Sequence, residues 1–154
     1  MKIVVHKHDS RGYAESSWLK SFHSFSFASY QNPERVRYGA LRVINDDYIA
    51  PGQGFATHGH KNMEIVTIPL VGCLAHKDST GHESVIYPGD VQRMSAGSGI
   101  EHSEYNGSKS ESVNLLQIWI FPERDNIKPG YEEKRFSPDH WSDRFGLLVS
   151  PNGR

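Results

Sequence analysis

His58-Gly59-His60 and, later in the chain, His102-Ser103-Glu104 are the two stretches on which the reading of this sequence turns. Alternate residues of a β-strand point to one face of the sheet. A His-x-His on a strand therefore aims two imidazoles at one point, and a His-x-Glu aims an imidazole and a carboxylate likewise. Two such strands facing each other across a barrel would bring three nitrogens and one oxygen onto a single ion. That donor set suits a first-row divalent metal, Fe, Mn, Co, Ni, Cu or Zn, better than Mg or Ca, which favour oxygen shells. Four protein donors leave an octahedral metal with two open positions, as a chelating substrate or a substrate plus dioxygen requires. A closed structural site, typically tetrahedral and thiolate-rich, has neither.

The pattern alone is not diagnostic, because His6-x-His8 repeats it near the start of the chain. There ordinary surface histidines are expected. The surroundings set the central pair apart. The spacing Gly52-x5-His58-x-His60-x3-Glu64 opens on a turn-forming glycine and puts His58, His60 and Glu64 on one parity. Pro88-Gly89-Asp90, a turn cluster, stands between the two halves. Ser95-Ala96-Gly97-Ser98-Gly99 supplies small residues that let backbone approach closely just before His102. Glu64 and Glu104 both remain candidates for the carboxylate position on these grounds.

Taken in order, Lys2 to Val5 is a short apolar strand candidate, and residues 14–19 offer at best one or two helical turns. Around His23 alternating polar and aromatic residues indicate aromatic core packing with the imidazole hydrogen-bonded. Tyr38 to Asn45 reads as a strand. Asp46-Asp47, following Asn45, is expected to form a turn with solvated charges. From residue 54 the strand signals become dense, over 54–60, 63–70, 73–79, 83–87, 91–95, 100–105 and 112–121. Short strands at such regular intervals mean an all-β antiparallel sandwich or barrel. Pro69 cannot donate to a ladder and marks a bulge, strand end or edge. Val113 to Phe121 is the longest apolar strand, with Trp119 expected in the core rather than at a ligand-stacking surface.

These motifs together resemble the two motifs of the cupin superfamily, whose members are double-sheet jelly rolls. In the second motif a serine stands where proline is usual, and the histidine comes later after the glycine. That departure resembles the pirin family. So do Trp18 to Ala28, Leu41 to Asp46, Gly54-Phe55, Asn62 to Thr67, His76 to Ser79 and Gly89 to Gly97. The resemblance covers nearly the whole chain. It implies a cupin double-stranded β-helix with one or two short helices. The ligand set it implies is His58, His60, His102 and Glu104, with Glu64 orienting the ligands from outside. The cofactor would be one divalent transition metal ion, iron first, with nickel, manganese, cobalt, copper or zinc as alternatives. The implied activity is that of a quercetin 2,3-dioxygenase, opening a flavonol ring with dioxygen, and Glu104 would be its catalytic base. The eukaryotic pirins suggest an alternative: a non-enzymatic metal-binding, redox-sensing regulator acting through a protein partner.

Composition narrows the classes. The chain has 154 residues and formal net charge −1, enough length to bury roughly 70% of the unfolded surface. Neither sign of charge is blocked into tails, which excludes a basic footprint for direct nucleic-acid binding. Cys73 is alone, so no internal disulfide can form, and a buried, inert thiol is expected. No long apolar span or signal-peptide pattern is present, and a cytoplasmic protein without membrane contact is expected. Residues 1–136 are expected to be an N-terminal pirin-like cupin domain. Residues 137–154 would then be a linker, with a short helix over 138–143 after the Ser137-Pro138 start signal, and the first strand, 145–150, of a second cupin domain. A lone apolar strand is an exposed pairing edge, so a homo-oligomer through that strand, or disorder of it, follows as an expectation.

Overall fold

The computed structural model describes residues 3–151. In chain order its strands are β1 (Gly12–Glu15), β2 (Leu19–His23), β3 (Leu41–Ile49), β4 (Gly54–His60), β5 (Glu64–Val71) and β6 (Leu74–Asp78). They continue with β7 (Glu83–Ile86), β8 (Asp90–Ser95), β9 (Ile100–Asn106), β10 (Val113–Ile120) and β11 (Gly130–Arg135). Every strand expected between residues 54 and 121 falls on one of these within a residue. The architecture is all-β, as the punctuation of short alternating runs by turn residues requires.

Two antiparallel sheets result, a seven-stranded one ordered β1-β2-β3-β10-β5-β8-β11 and a four-stranded one ordered β4-β9-β6-β7. They face each other in three levels. At one level Ile49, Val113 and Leu115 of the large sheet meet Leu74 and Ile86 of the small one, with Trp18, Leu19 and Phe55 alongside. At the opposite level Ile65 and Met94 pack with Ala96, Ile100, Met63 and Trp119. Between them runs a polar row across the large sheet, His23↔Asn45↔Gln117↔Thr67↔Gln92, each paired with the next in the ladder. This row faces the site. The other face of the large sheet carries Val66, Val91, Ile68 and Ile118, covered by Phe136, Leu148 and Val149 from the C-terminal segment.

Several local expectations give way to longer-range pairing. Residues 14–19 form no helix; they span a hairpin in which Glu15 pairs with Lys20, its turn held by Ser16 Oγ accepting from the Leu19 N–H at 3.2 Å. Asp46-Asp47 is no turn but the interior of β3, with Asp47 buried and Asp46 on the other face, where Arg11 and Asn114 bind it at 3.1 and 2.8 Å. Residues 3–5 take no strand conformation and stand 72%, 64% and 77% exposed; Lys2 lies outside the described residues. The helix expected over 138–143 is one 3-10 turn, Pro138–His140, and Ser137 makes no side-chain capping bond. Residues 145–150 join neither sheet. Cys73 is half-buried rather than buried. Pro69 behaves as a proline must: it pairs with Leu115 beside a register shift, beyond the point where the β8 ladder ends at Thr67.

Candidate metal centre

β4 and β9 pair antiparallel, and a bulge decides what they present. Phe55 pairs with Glu104, but the next aligned pair is His58 with His102, so Ala56 and Thr57 together oppose Ser103. An extra residue flips side-chain parity. Phe55 therefore points into the apolar level while His58 and His60 both point to the face of His102. Close approach of the strands also explains Gly54, where a Cβ would lie 2.1 Å from the Glu104 carbonyl oxygen. Gly97 plays the part expected of the small-residue stretch: its φ is +49°, and a Cβ there would lie 2.2 Å from the Ile127 carbonyl oxygen.

The three imidazoles converge. Ring centroids of His58, His60 and His102 are 4.5 to 4.9 Å apart, and one nitrogen from each lies within 4.8 Å of the other two. His58 Nε2 is 3.1 Å from His102 Nε2. Ligand bonds of about 2.1 Å at a right angle span roughly 3.0 Å, so this pair is spaced as one edge of an octahedral ion. His58 Nδ1–H donates to the Ala56 carbonyl at 2.8 Å, leaving the Nε2 lone pair free. Burial, and then the neighbouring His58, depresses His60 to about 4. Burial, followed by His58, His60 and His76, depresses His102 to about 3. Both are neutral at physiological pH, the state a metal ligand needs. Among the described residues, His102 Nδ1 is one of two buried polar side-chain atoms with no hydrogen-bond partner.

Glu104 lies deeper, 3% exposed, and groups with His102 and His76. Its Oε2 accepts from Gln117 Nε2 at 2.7 Å and its Oε1 from Thr67 Oγ1 at 3.4 Å. Burial, then the charge of Asp47, raises the carboxyl to about 7, against the lowering effect of those two donors. Asp47, which accepts from Ser21 Oγ, is itself raised to about 6, chiefly by burial. His76 has both nitrogens engaged: Gln92 Nε2 meets Nδ1 at 3.3 Å, so Nε2–H donates to Asp78 at 3.2 Å.

Glu64 stands apart from both groups, accepting from Ser95 Oγ at 2.6 Å and pairing with Arg93 at 3.6 Å. The parity that linked it to His60 is broken at Asn62, whose φ is +51°, and Glu64 opens a strand of the other sheet. His23 packs against Phe27 and donates to Asn45 at 2.9 Å, as expected. Trp119 is partly in the core but also meets the His60 ring edge-on at 4.9 Å. The sequence reading gave no site role to His76 or Gln117, and it placed Asp47 in a solvated turn. Gln117 had left a signal, a polar residue on the buried parity of the most apolar strand.

Three comparisons bear on this arrangement. A family model described as Pirin matches residues 4–120. The quercetin 2,3-dioxygenase of Escherichia coli K12 is 49% identical over 152 residues, which is 99% of this chain and 64% of that protein. The chain thus spans just under two thirds of that relative's length. The crystal structure of the bacterial pirin YhhW from Escherichia coli in complex with nickel(II) superposes with a TM-score of 0.83 at 46% identity, covering 92% of this chain and 66% of that one. The cupin domain of Schizosaccharomyces pombe Cnp3, TM-score 0.55 and 15% identical over 79% of this chain and 76% of that one, shares the fold.

Proposed function

The chain belongs to the Pirin family, and from that premise we propose that it binds one divalent transition metal through His58, His60, His102 and Glu104 and opens a flavonol ring with dioxygen. The observation that carries this reading is the octahedral-edge spacing of His58 Nε2 and His102 Nε2, with the His58 tautomer set by Ala56. When bound, the metal would supply Lewis acidity and a template for the adjacent oxygens of the flavonol. The histidines hold their lone pairs free because burial keeps His60 and His102 neutral. His58 and His60 are half-buried and His102 buried, so an exogenous ligand approaches from the His58 and His60 side.

Glu104 has the environment of a general base. Without metal, burial and the Asp47 charge raise its carboxyl to about 7, so the protein environment itself favours proton uptake there. Oε2 is committed to Gln117, whereas Oε1 carries only the longer 3.4 Å contact from Thr67. Oε1 is therefore the atom that takes the flavonol hydroxyl proton. The nickel(II) complex of the Escherichia coli pirin and the dioxygenase name of the 49% identical relative support the reading.

The test is a quercetin-consumption assay on protein reloaded separately with iron(II) and nickel(II), with and without dioxygen. Turnover should need both metal and dioxygen, and Glu104→Gln should lose about 10²–10⁴-fold in rate while keeping most of the metal. Metal-loaded protein that leaves the quercetin spectrum unchanged over hours would sink the oxygenase reading in favour of a metal-binding regulator.

A further inference from the structure

Gln117 and Trp119 are two residues apart on β10, and both reach the site, at different depths. Trp119 Nε1–H donates to Gln117 Oε1 at 3.1 Å, and Gln117 Nε2 donates to Glu104 Oε2 at 2.7 Å. The indole N–H can only donate. It therefore requires the oxygen of the Gln117 amide to face it, which turns the amide's NH2 towards Glu104. With the amide reversed, a carbonyl oxygen would confront the carboxylate and the indole N–H would meet an NH2. The indole itself is held on two sides. Phe27 meets it edge-on at 5.4 Å, and its ring meets His60 at 4.9 Å and 81°. One tryptophan thus touches an imidazole at the mouth and, through an amide, fixes the buried carboxylate.

We infer that Gln117 is a positioning residue that presents Glu104 to a metal at the histidines, and that Trp119 acts through Gln117 by locking its amide in the donating orientation. The inference rests on the ligand role proposed for Glu104. Hydrogen-bond partners behind a ligand typically matter about 10- to 100-fold in metal affinity. A neutral hydrogen bond one step further back is worth about fivefold.

Nickel(II) titration of metal-free protein against a competing chelator tests this, with circular dichroism and thermal melting run on each variant. Gln117→Met, which keeps the side-chain length without the amide, should weaken nickel(II) binding about 10- to 100-fold. Trp119→Phe, which keeps a ring against His60 but removes the N–H, should weaken it about fivefold. The two changes combined should be no worse than Gln117→Met alone, because Trp119 has no other route to the carboxylate. In a Glu104→Gln background, Gln117→Met should cost nothing further. Wild-type affinity in Gln117→Met, additive losses in the double variant, or an equal loss in both backgrounds would each overturn the inference. Should Gln117→Met fail to fold, Trp119→Phe decides alone, and unchanged affinity there overturns it. Nickel(II) bound by Glu104→Gln as tightly as by wild type would instead sink the ligand role of Glu104, a separate failure.

Discussion

The outer and inner groups of the site share His102 yet differ in every other respect. Outside, His58 and His60 are half-buried, and His58 keeps a free Nε2. Inside, Glu104, His76 and Asp78 are sealed from solvent, and each is held by hydrogen bonds from the polar row of the large sheet or from its own loop. The outer group is thus open to an added ligand, whereas the inner group is held largely by hydrogen bonds within the protein, Glu104 Oε1 keeping only its 3.4 Å contact with Thr67. Burial of polar groups requires such satisfaction, so the inner group sets geometry and proton affinity while the outer one offers lone pairs. Asp78 shows the same logic. Burial pushes its carboxyl up, but Thr80, His76 and two backbone N–H groups together hold it below the ordinary range.

The largest expected effect breaks the outer group. A His58→Ala/His60→Ala/His102→Ala variant should fall from stoichiometric metal to background by elemental analysis, while its circular dichroism still reports a β-sheet protein. Stoichiometric metal retained by that variant would remove the centre from these residues.

A smaller effect sharpens the contrast from the inside. In metal-free protein the folded state holds the Glu104 proton up to about pH 7, whereas a carboxyl at the ordinary 4.5 releases it earlier. Folding therefore takes up a proton between those values, and stability falls as pH rises through the window. Glu104→Gln cannot titrate and escapes the fall. Relative to wild type it should gain on the order of 3 kcal/mol between pH 4.5 and pH 7, read by urea unfolding at both ends of the window. A difference that stays constant with pH would mean that the carboxyl does not resist ionisation.

The smallest effect concerns the other His-x-His. His6 and His8 are exposed, and His8 sits in a 3-10 turn with its ring 5.7 Å from Phe22. His6→Ala/His8→Ala should leave both metal content and melting temperature unchanged within error. A loss of metal there would mean that the spacing alone, without strand pairing, makes a site.

The legible part of the fold was the part governed by local rules. Turn residues and period-two alternation located every strand from β4 to β10 to within a residue, because both signals act over a few neighbours. The misses share one cause. Asn45-Asp46-Asp47 has turn composition, yet pairing with β2 and β10 draws it into a strand and buries Asp47 against Ser21, 26 residues away. Residues 14–19 are likewise captured by a hairpin. The segment 145–150 has the composition of a strand, but only Leu148 and Val149 find apolar cover, on the outer face of the large sheet.

His58, His60 and His102 were visible in the sequence because alternation on a strand is a property of the backbone, independent of what the strand faces. Alternation left Glu64 and Glu104 both open, and only the resemblance to the pirin family favoured Glu104. The sequence also determined that the protein would be an antiparallel all-β structure carrying the three histidines and Glu104 on two strands. The tertiary structure alone decided how they divide. A bulge at Ala56-Thr57 turned His58 inward beside His102, and pairing across the barrel placed Glu104 under Gln117 and Thr67 rather than in the open. His76 came to the same place from a third strand, opposite Glu104 in the ladder. Register and facing depend on which strands pair over long separations, and the side-chain period of two makes a single inserted residue enough to reverse what a strand presents.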